Sequence, residues 1–157
     1  LKMTEQEVKD EFKQTEGNPE MKGRIRQMQR EIANRRMIEE VPKADVVVTN
    51  PTHFAVALRY DQKTMRAPIL VAKGADLVAS NIRRVAGDSK VPIVEAPALA
   101  RAVFYSTDLQ EPIPAGLYMA VAQLLAYVFQ LRVYYREGGA QPAAPTDYPV
   151  PEDLRHD

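Results

Sequence analysis

Residues 43–58 read Lys43-Ala44-Asp45-Val46-Val47-Val48-Thr49-Asn50-Pro51-Thr52-His53-Phe54-Ala55-Val56-Ala57-Leu58, and the order of residue types within them decides the fold. Asp45-Val46-Val47-Val48-Thr49 is a β-branched run without polar alternation, the pattern of a strand covered on both faces. Residues 54–60 form a second strand-like run. Between them, Asn50-Pro51-Thr52-His53 carries a turn signal, with Asn at the first corner and Pro at the second, as a type I turn prefers. Two strands joined this closely are expected to pair as an antiparallel hairpin.

Downstream, residues 61–64 read as a loop and residues 69–72 as a third strand. Gly74 is expected to turn the chain into a helix over 75–86, with Ala75, Val78, Ala79, Ile82 and Val85 on one face and Gly87 as its C-terminal cap. A short fourth strand is expected at 91–95. Pro97 then occupies the first position of a helix over 98–105, where proline is tolerated because its missing N–H has no helical partner. Pro112 and Pro114 bracket a loop before a long helix over 115–136. The most apolar stretch, 117–131, is interrupted by Gln123 and Gln130 and falls short of the roughly 20 apolar residues that span a bilayer, so it reads as a core helix. The order of elements predicts an α/β fold: a small four-stranded mixed sheet flanked by helices and preceded by a helical linker.

Upstream, residues 4–18 are mostly polar, with Val8 and Phe12 as an isolated apolar pair, and predict a marginal exposed helix. Gly17-Asn18-Pro19 breaks it. Residues 20–40 then place Met21, Ile25, Met28, Ile32 and Met37 at helical spacing. Between residues 22 and 36 there are six Lys or Arg against one Glu, which fits either a solvated linker or a helix near anionic lipid headgroups. Nucleic acid fits less well, because no aromatic stacking residues are interleaved with the basic ones. The chain divides accordingly into a helical linker (1–41), a compact α/β domain (42–137) and a Pro-rich flexible tail (138–157), whose composition is too poor in apolar residues to order itself fully. It begins at Leu1 without a signal-peptide pattern and reads as a piece of something longer.

At 157 residues, 45% of them hydrophobic, the chain is sufficient for one domain with a genuine core. Its 21 basic and 21 acidic residues cancel, so overall charge nominates no partner. With no cysteine and two histidines, neither a disulfide nor a structural metal is expected. No paired carboxylates, nucleophile–base set or cofactor loop is evident, which argues against a turnover enzyme and against a cofactor. Lys73-Gly74 lacks the glycine pattern of a phosphate loop, and Tyr118, Tyr127, Phe129, Tyr134 and Tyr135 read as core and helix surface.

The chemistry that stands out is at Asn50-Pro51. Attack on an Asn side chain by the next backbone nitrogen needs an N–H that proline lacks. The reverse attack remains open: the Asn50 side-chain nitrogen adds to its own backbone carbonyl carbon, closes a succinimide and expels Pro51 as a new amino terminus. In this reading Asn50 is the nucleophile and Pro51 the leaving group. Thr52, through its N–H or hydroxyl, is a candidate to polarise the carbonyl, and His53 either orients or shuttles a proton or merely completes the hairpin. By composition alone an ordinary turn is the better account of the same four residues.

The surrounding residues tip this balance through a resemblance. Residues 43–58, together with Ala67-Pro68, Val71-Ala72-Lys73-Gly74-Ala75, Val91-Pro92-Ile93-Val94-Glu95-Ala96-Pro97-Ala98-Leu99-Ala100-Arg101 and Ile113-Pro114, resemble the cytoplasmic domain of the FlhB family, the export switch proteins of flagella and of type III injectisomes. Pro149-Val150-Pro151-Glu152 is similar to the flagellar branch. The resemblance implies a missing N-terminal membrane domain, a place on the cytoplasmic side of the bacterial inner membrane, and self-cleavage between Asn50 and Pro51 that switches export specificity. It further implies as partners other export-gate membrane proteins, export substrates and their chaperones, and a hook-length control protein. The alternative of another class is a non-cleaving scaffold or binding domain that recruits secretion partners.

Overall fold

The computed structural model describes residues 18–157 together with Thr4 and Glu7. It divides into two compact units, Leu1–Arg36 and Met37–Asp157. Of the marginal helix expected over 4–18, Thr4 and Glu7 exchange the reciprocal bonds of a capping box, at 3.3 and 3.1 Å. Val8 and Phe12 lie outside the described residues. The basic helix is α1 (Pro19–Ile38). Asn18 starts it by accepting the N–H groups of Glu20 and Met21 on its side-chain oxygen, at 3.0 and 3.3 Å, while Pro19 sits where no N–H is needed. Met21, Ile25, Met28 and Ile32 are exposed.

In the second unit, β1 (Val46–Asn50), β2 (Phe54–Arg59), β3 (Ile69–Ala75) and β4 (Ile93–Glu95) form one sheet in the order β3-β2-β1-β4. β1 pairs antiparallel with β2, from Val46 opposite Leu58 to Asn50 opposite Phe54, and parallel with β4. The expected hairpin and mixed four-stranded sheet are therefore present. Val71 is an extra residue on β3, since Ala72 faces Ala57 while Leu70 faces Leu58, which makes a bulge. The outer edge of β3 is covered by residues 110–113, with Leu70 N–H donating to the Glu111 carbonyl and Gln110 N–H to that of Leu70. Such cover blocks pairing with foreign strands.

The period-2 alternation of side chains splits β1 between two cores. Val46 and Val48 pack with Val56, Leu58 and Leu70 beneath α3 (Pro97–Ser106) and α4 (Tyr118–Glu137). Val47 packs on the opposite face with Ala55, Ala57, Ile82 and Val41 beneath α2 (Asp76–Asp88). All three valines are fully buried, as a strand covered on both faces requires.

Several local expectations are corrected. Gly74 does not turn the chain; it lies in β3 opposite Ala55. A Cβ there would come within 2.7 Å of Val78 Cβ, so the absence of a side chain is what lets α2 pack down on the strand it follows. Gly87 does not cap α2, which continues to Asp88. The left-handed residue is Lys90, at φ 60°. Val91 N–H bonds the Ala86 carbonyl at 2.8 Å and Lys90 N–H that of Gly87 at 3.2 Å, a Schellman motif with Pro92 behind it.

The stretch Ala115–Glu137, 23 residues, is by length and composition long and apolar enough to cross a membrane, contrary to the expectation that it falls short. Its inner face, Ala120, Val121, Leu124 and Val128, is nonetheless buried in the core, while Met119, Phe129 and Tyr135 are exposed. Residues 138–157, expected not to order themselves fully, bring three apolar side chains to this side of the domain. Tyr148 is buried in the core, and Val150 and Leu154 pack against it. Composition averages hid these three side chains among prolines and acids.

Candidate functional site

β1 ends at Asn50 and β2 begins at Phe54, and these two residues face each other across the ladder. Pro51, Thr52 and His53 make the exposed loop between them, while Asn50 is half-buried. The fold thus brings all four sequence-predicted residues together at the end of a hairpin whose strands are locked into both cores. The Pro51–Thr52 peptide is cis.

Two backbone bonds fix the loop. His53 N–H donates to the Asn50 carbonyl oxygen at 2.7 Å, and Asp76 N–H donates to the His53 carbonyl at 2.9 Å. The first places a donor on the carbonyl of the Asn50–Pro51 bond, where the sequence pointed to Thr52. A donor held there stabilises negative charge that develops on the oxygen when a nucleophile adds to the carbon.

The second bond ties the loop to the start of α2. Asp76 stands at φ 51°, a left-handed backbone that Asp tolerates better than most residues. His53 Nδ1 lies 3.9 Å from Asp76 Oδ1, with both side chains largely exposed at 70% and 81%. A solvated pair of this kind orients the imidazole more than it stabilises the fold. Asp76 was not singled out from the sequence; its one signal there is an acid in the first turn of an amphipathic helix, which ordinary helices share.

An aromatic cluster backs the loop. The Phe54 ring lies 4.4 Å from Phe104 and 5.6 Å from Tyr105, centroid to centroid. Lys73 closes the end of α3 beside it, its Nζ donating to the carbonyls of Phe104 and Thr107 at 2.9 and 2.7 Å. That amine is engaged with helix-terminal carbonyls, which leaves the Lys73-Gly74 pair no role as a phosphate cradle. Among the described residues no cluster of His, Asp or Glu could hold a metal ion.

Three comparisons relate the chain to known proteins. A family model described as the FlhB HrpN YscU SpaS family matches residues 1–128. The chain is 54% identical over 154 residues to the flagellar biosynthetic protein FlhB of Escherichia coli K12, covering 98% of this chain and 40% of that protein. It is 47% identical over 132 residues to FlhB of Bacillus subtilis 168, covering 84% and 37%. The chain therefore spans well under half the length of these relatives. Among solved structures, the cytoplasmic domain of FlhB from Shewanella putrefaciens superposes with a TM-score of 0.74 at 52% identity, covering 78% of this chain and 95% of that one. The EscU C-terminal domain carrying an Asn-to-Asp substitution superposes with a TM-score of 0.57 at 27% identity, covering 59% and 98%.

Proposed function

The chain belongs to the FlhB HrpN YscU SpaS family, and from that premise we propose that it is the cytoplasmic part of a flagellar type III export protein that cuts itself once between Asn50 and Pro51 and so controls which substrates are exported. The observation that carries this reading is the 2.7 Å bond from His53 N–H to the Asn50 carbonyl oxygen, a donor aimed at the group the reaction must polarise. Solved EscU domains carry substitutions at an Asn and at the Pro that follows it, and this chain has such a pair at Asn50-Pro51.

The step balances within the loop. Asn50 Nδ2 adds to the Asn50 carbonyl carbon, the carbon–nitrogen bond to Pro51 breaks, and the proton lost from Nδ2 ends on the Pro51 nitrogen. The products are a succinimide at residue 50 and a free Pro51 amine, and water opens the ring. Positioning dominates the rate. A well-oriented intramolecular attack is worth about 7–11 kcal/mol, against roughly 100- to 10,000-fold in rate from a general base. Proline supports this by pushing Asn50 toward extended angles, and Asn50 ends β1 in the extended conformation. Thr52 and the His53 side chain are supporting groups, with the imidazole held near Asp76. On a denaturing gel the wild-type chain splits at Pro51 and Asn50→Ala stays whole; cleavage of Asn50→Ala at the same bond would remove the proposed nucleophile.

The proposed setting is the cytoplasmic face of the bacterial inner membrane. There α1, with its excess of basic residues, runs near anionic lipid, and the compact unit meets export-gate proteins, substrates, chaperones and a hook-length control protein. A second reading, a binding domain that recruits secretion partners without cutting itself, is favoured by one observation. A groove of about 650 Å³ runs along α4, lined by Tyr60, Ala122, Leu125, Phe129 and, at its charged end, Asp45 and Arg132. The two readings part on whether purified protein is one species or two.

A further inference from the structure

Residues 148–157 lie across the α3 and α4 side of the second unit as a strap. Tyr148 is buried in the core with Val150 and Leu154 packed beside it. At Gly116 an added Cβ would meet Leu154 Cδ1 at 2.9 Å and Pro151 Cγ at 3.3 Å, so the missing side chain makes room for the strap. Its far end is held by Arg101, whose Nη2 donates to Asp157 Oδ1 at 2.9 Å, and by His156 stacked on Tyr105 at 4.4 Å. Among the described residues no backbone hydrogen bond joins residues 139–157 to the rest of the unit; the strap's own backbone bonds are internal, Leu154 to Pro151 and Arg155 to Glu152. Side chains alone hold it.

The fit is incomplete at two atoms, both in the seat. Arg101 Nε and Tyr148 Oη are buried without a hydrogen-bond partner. A guanidinium offers a fork that a carboxylate can take with both oxygens, yet Asp157 reaches Nη2 alone and shares its second oxygen with Arg155. A buried hydroxyl without a partner is worse than no hydroxyl. We propose that the seat is a peptide-binding groove occupied in cis by residues 148–157, and that its partner is an extended segment of another protein carrying Phe where the strap has Tyr148 and a carboxylate that takes both nitrogens of Arg101. Tyr105 contacts His156 on one side and Phe54 on the other, so the groove adjoins the Asn50–Phe54 loop. Docking in this seat does not require that the Asn50–Pro51 bond be cut.

The test places a specific protease site within residues 140–144 of the full chain, cuts it, and adds labelled peptide of residues 145–157. Saturable uptake is expected, with a Tyr148→Phe peptide competing several-fold better than the native peptide and an Asp157→Ala peptide several-fold worse. In the uncut chain, Tyr148→Phe should lower uptake of labelled peptide below the wild-type level. No uptake by the cut chain at a hundredfold excess of peptide, or a Tyr148→Phe peptide that competes no better than the native one, overturns the proposal.

Discussion

The backbone N–H of His53 points at the carbonyl oxygen of Asn50 from 2.7 Å. The same bond closes the turn and sets a donor on the carbonyl next to Pro51, which is where the proposed attack from the Asn50 side chain needs one. Asp76, bonded to the His53 carbonyl, anchors the loop to α2 from the other side.

This separates the two halves of His53. His53→Ala keeps the N–H and removes the imidazole, so cleavage should slow modestly. His53→Pro removes the N–H as well, and loss of an oxyanion donor costs about 100- to 1,000-fold in rate. Time courses on denaturing gels give both rates. Equal rates for the two variants would mean that the backbone donor contributes nothing.

Cutting the loop should not separate the pieces. Val46, Val47 and Val48 are fully buried on the upstream side of the cut, and burial of each is worth about 1.5–3 kcal/mol, to which the ladders with β2 and β4 add. Fragments 1–50 and 51–157 are expected to co-elute in native size exclusion and to part in urea; separation in buffer would show that β1 is held by the loop itself.

The hairpin, the sheet and the grouping of the four loop residues were legible because they rest on local signals: a β-branched run, a turn pair and a second run. Gly74 was misread because a glycine between strand and helix looks like a turn, and only the position of Val78 shows it to be a packing requirement. Gly87 was misread for the complementary reason, since a left-handed lysine at residue 90 has no sequence signal. Tyr148 and Asp76 were missed because the residues they meet, Tyr127 and His53, are far away in the chain.

Gly74→Ala should destabilise the second unit by about 1–3 kcal/mol, the usual cost of overpacking. Urea unfolding measures it. Adding Val78→Ala should return part of the loss, because the obstructing methyls are gone; a double variant as unstable as the sum of the singles would locate the strain elsewhere.

Strap docking should depend on pH at both ends of the scale. Hydrogen bonds from Arg101 and then from Arg155 hold the Asp157 carboxyl below its ordinary value, so its contribution is complete above that value and fades as pH falls through it toward the lowered one. Burial, and secondarily the charge of Tyr127, raises the Tyr148 phenol above its ordinary value. That contribution is complete below the ordinary phenol value of about 10 and fades as pH rises through the raised one. Leu154 methyl shifts followed by NMR should stay constant from about pH 5 to 9, the interval between the two ordinary values, and move at either extreme. Arg101→Ala should weaken the acid limb and leave the alkaline one; an unchanged acid limb would detach Asp157 from strap docking.

Intact-mass analysis of freshly purified wild-type protein tests self-cleavage most directly. Two species are expected, one beginning at Pro51 and one ending at residue 50 that is first seen lighter by one water, as a succinimide must be. A single stable mass for the uncut 157-residue chain would contradict it and leave Asn50-Pro51 as a turn.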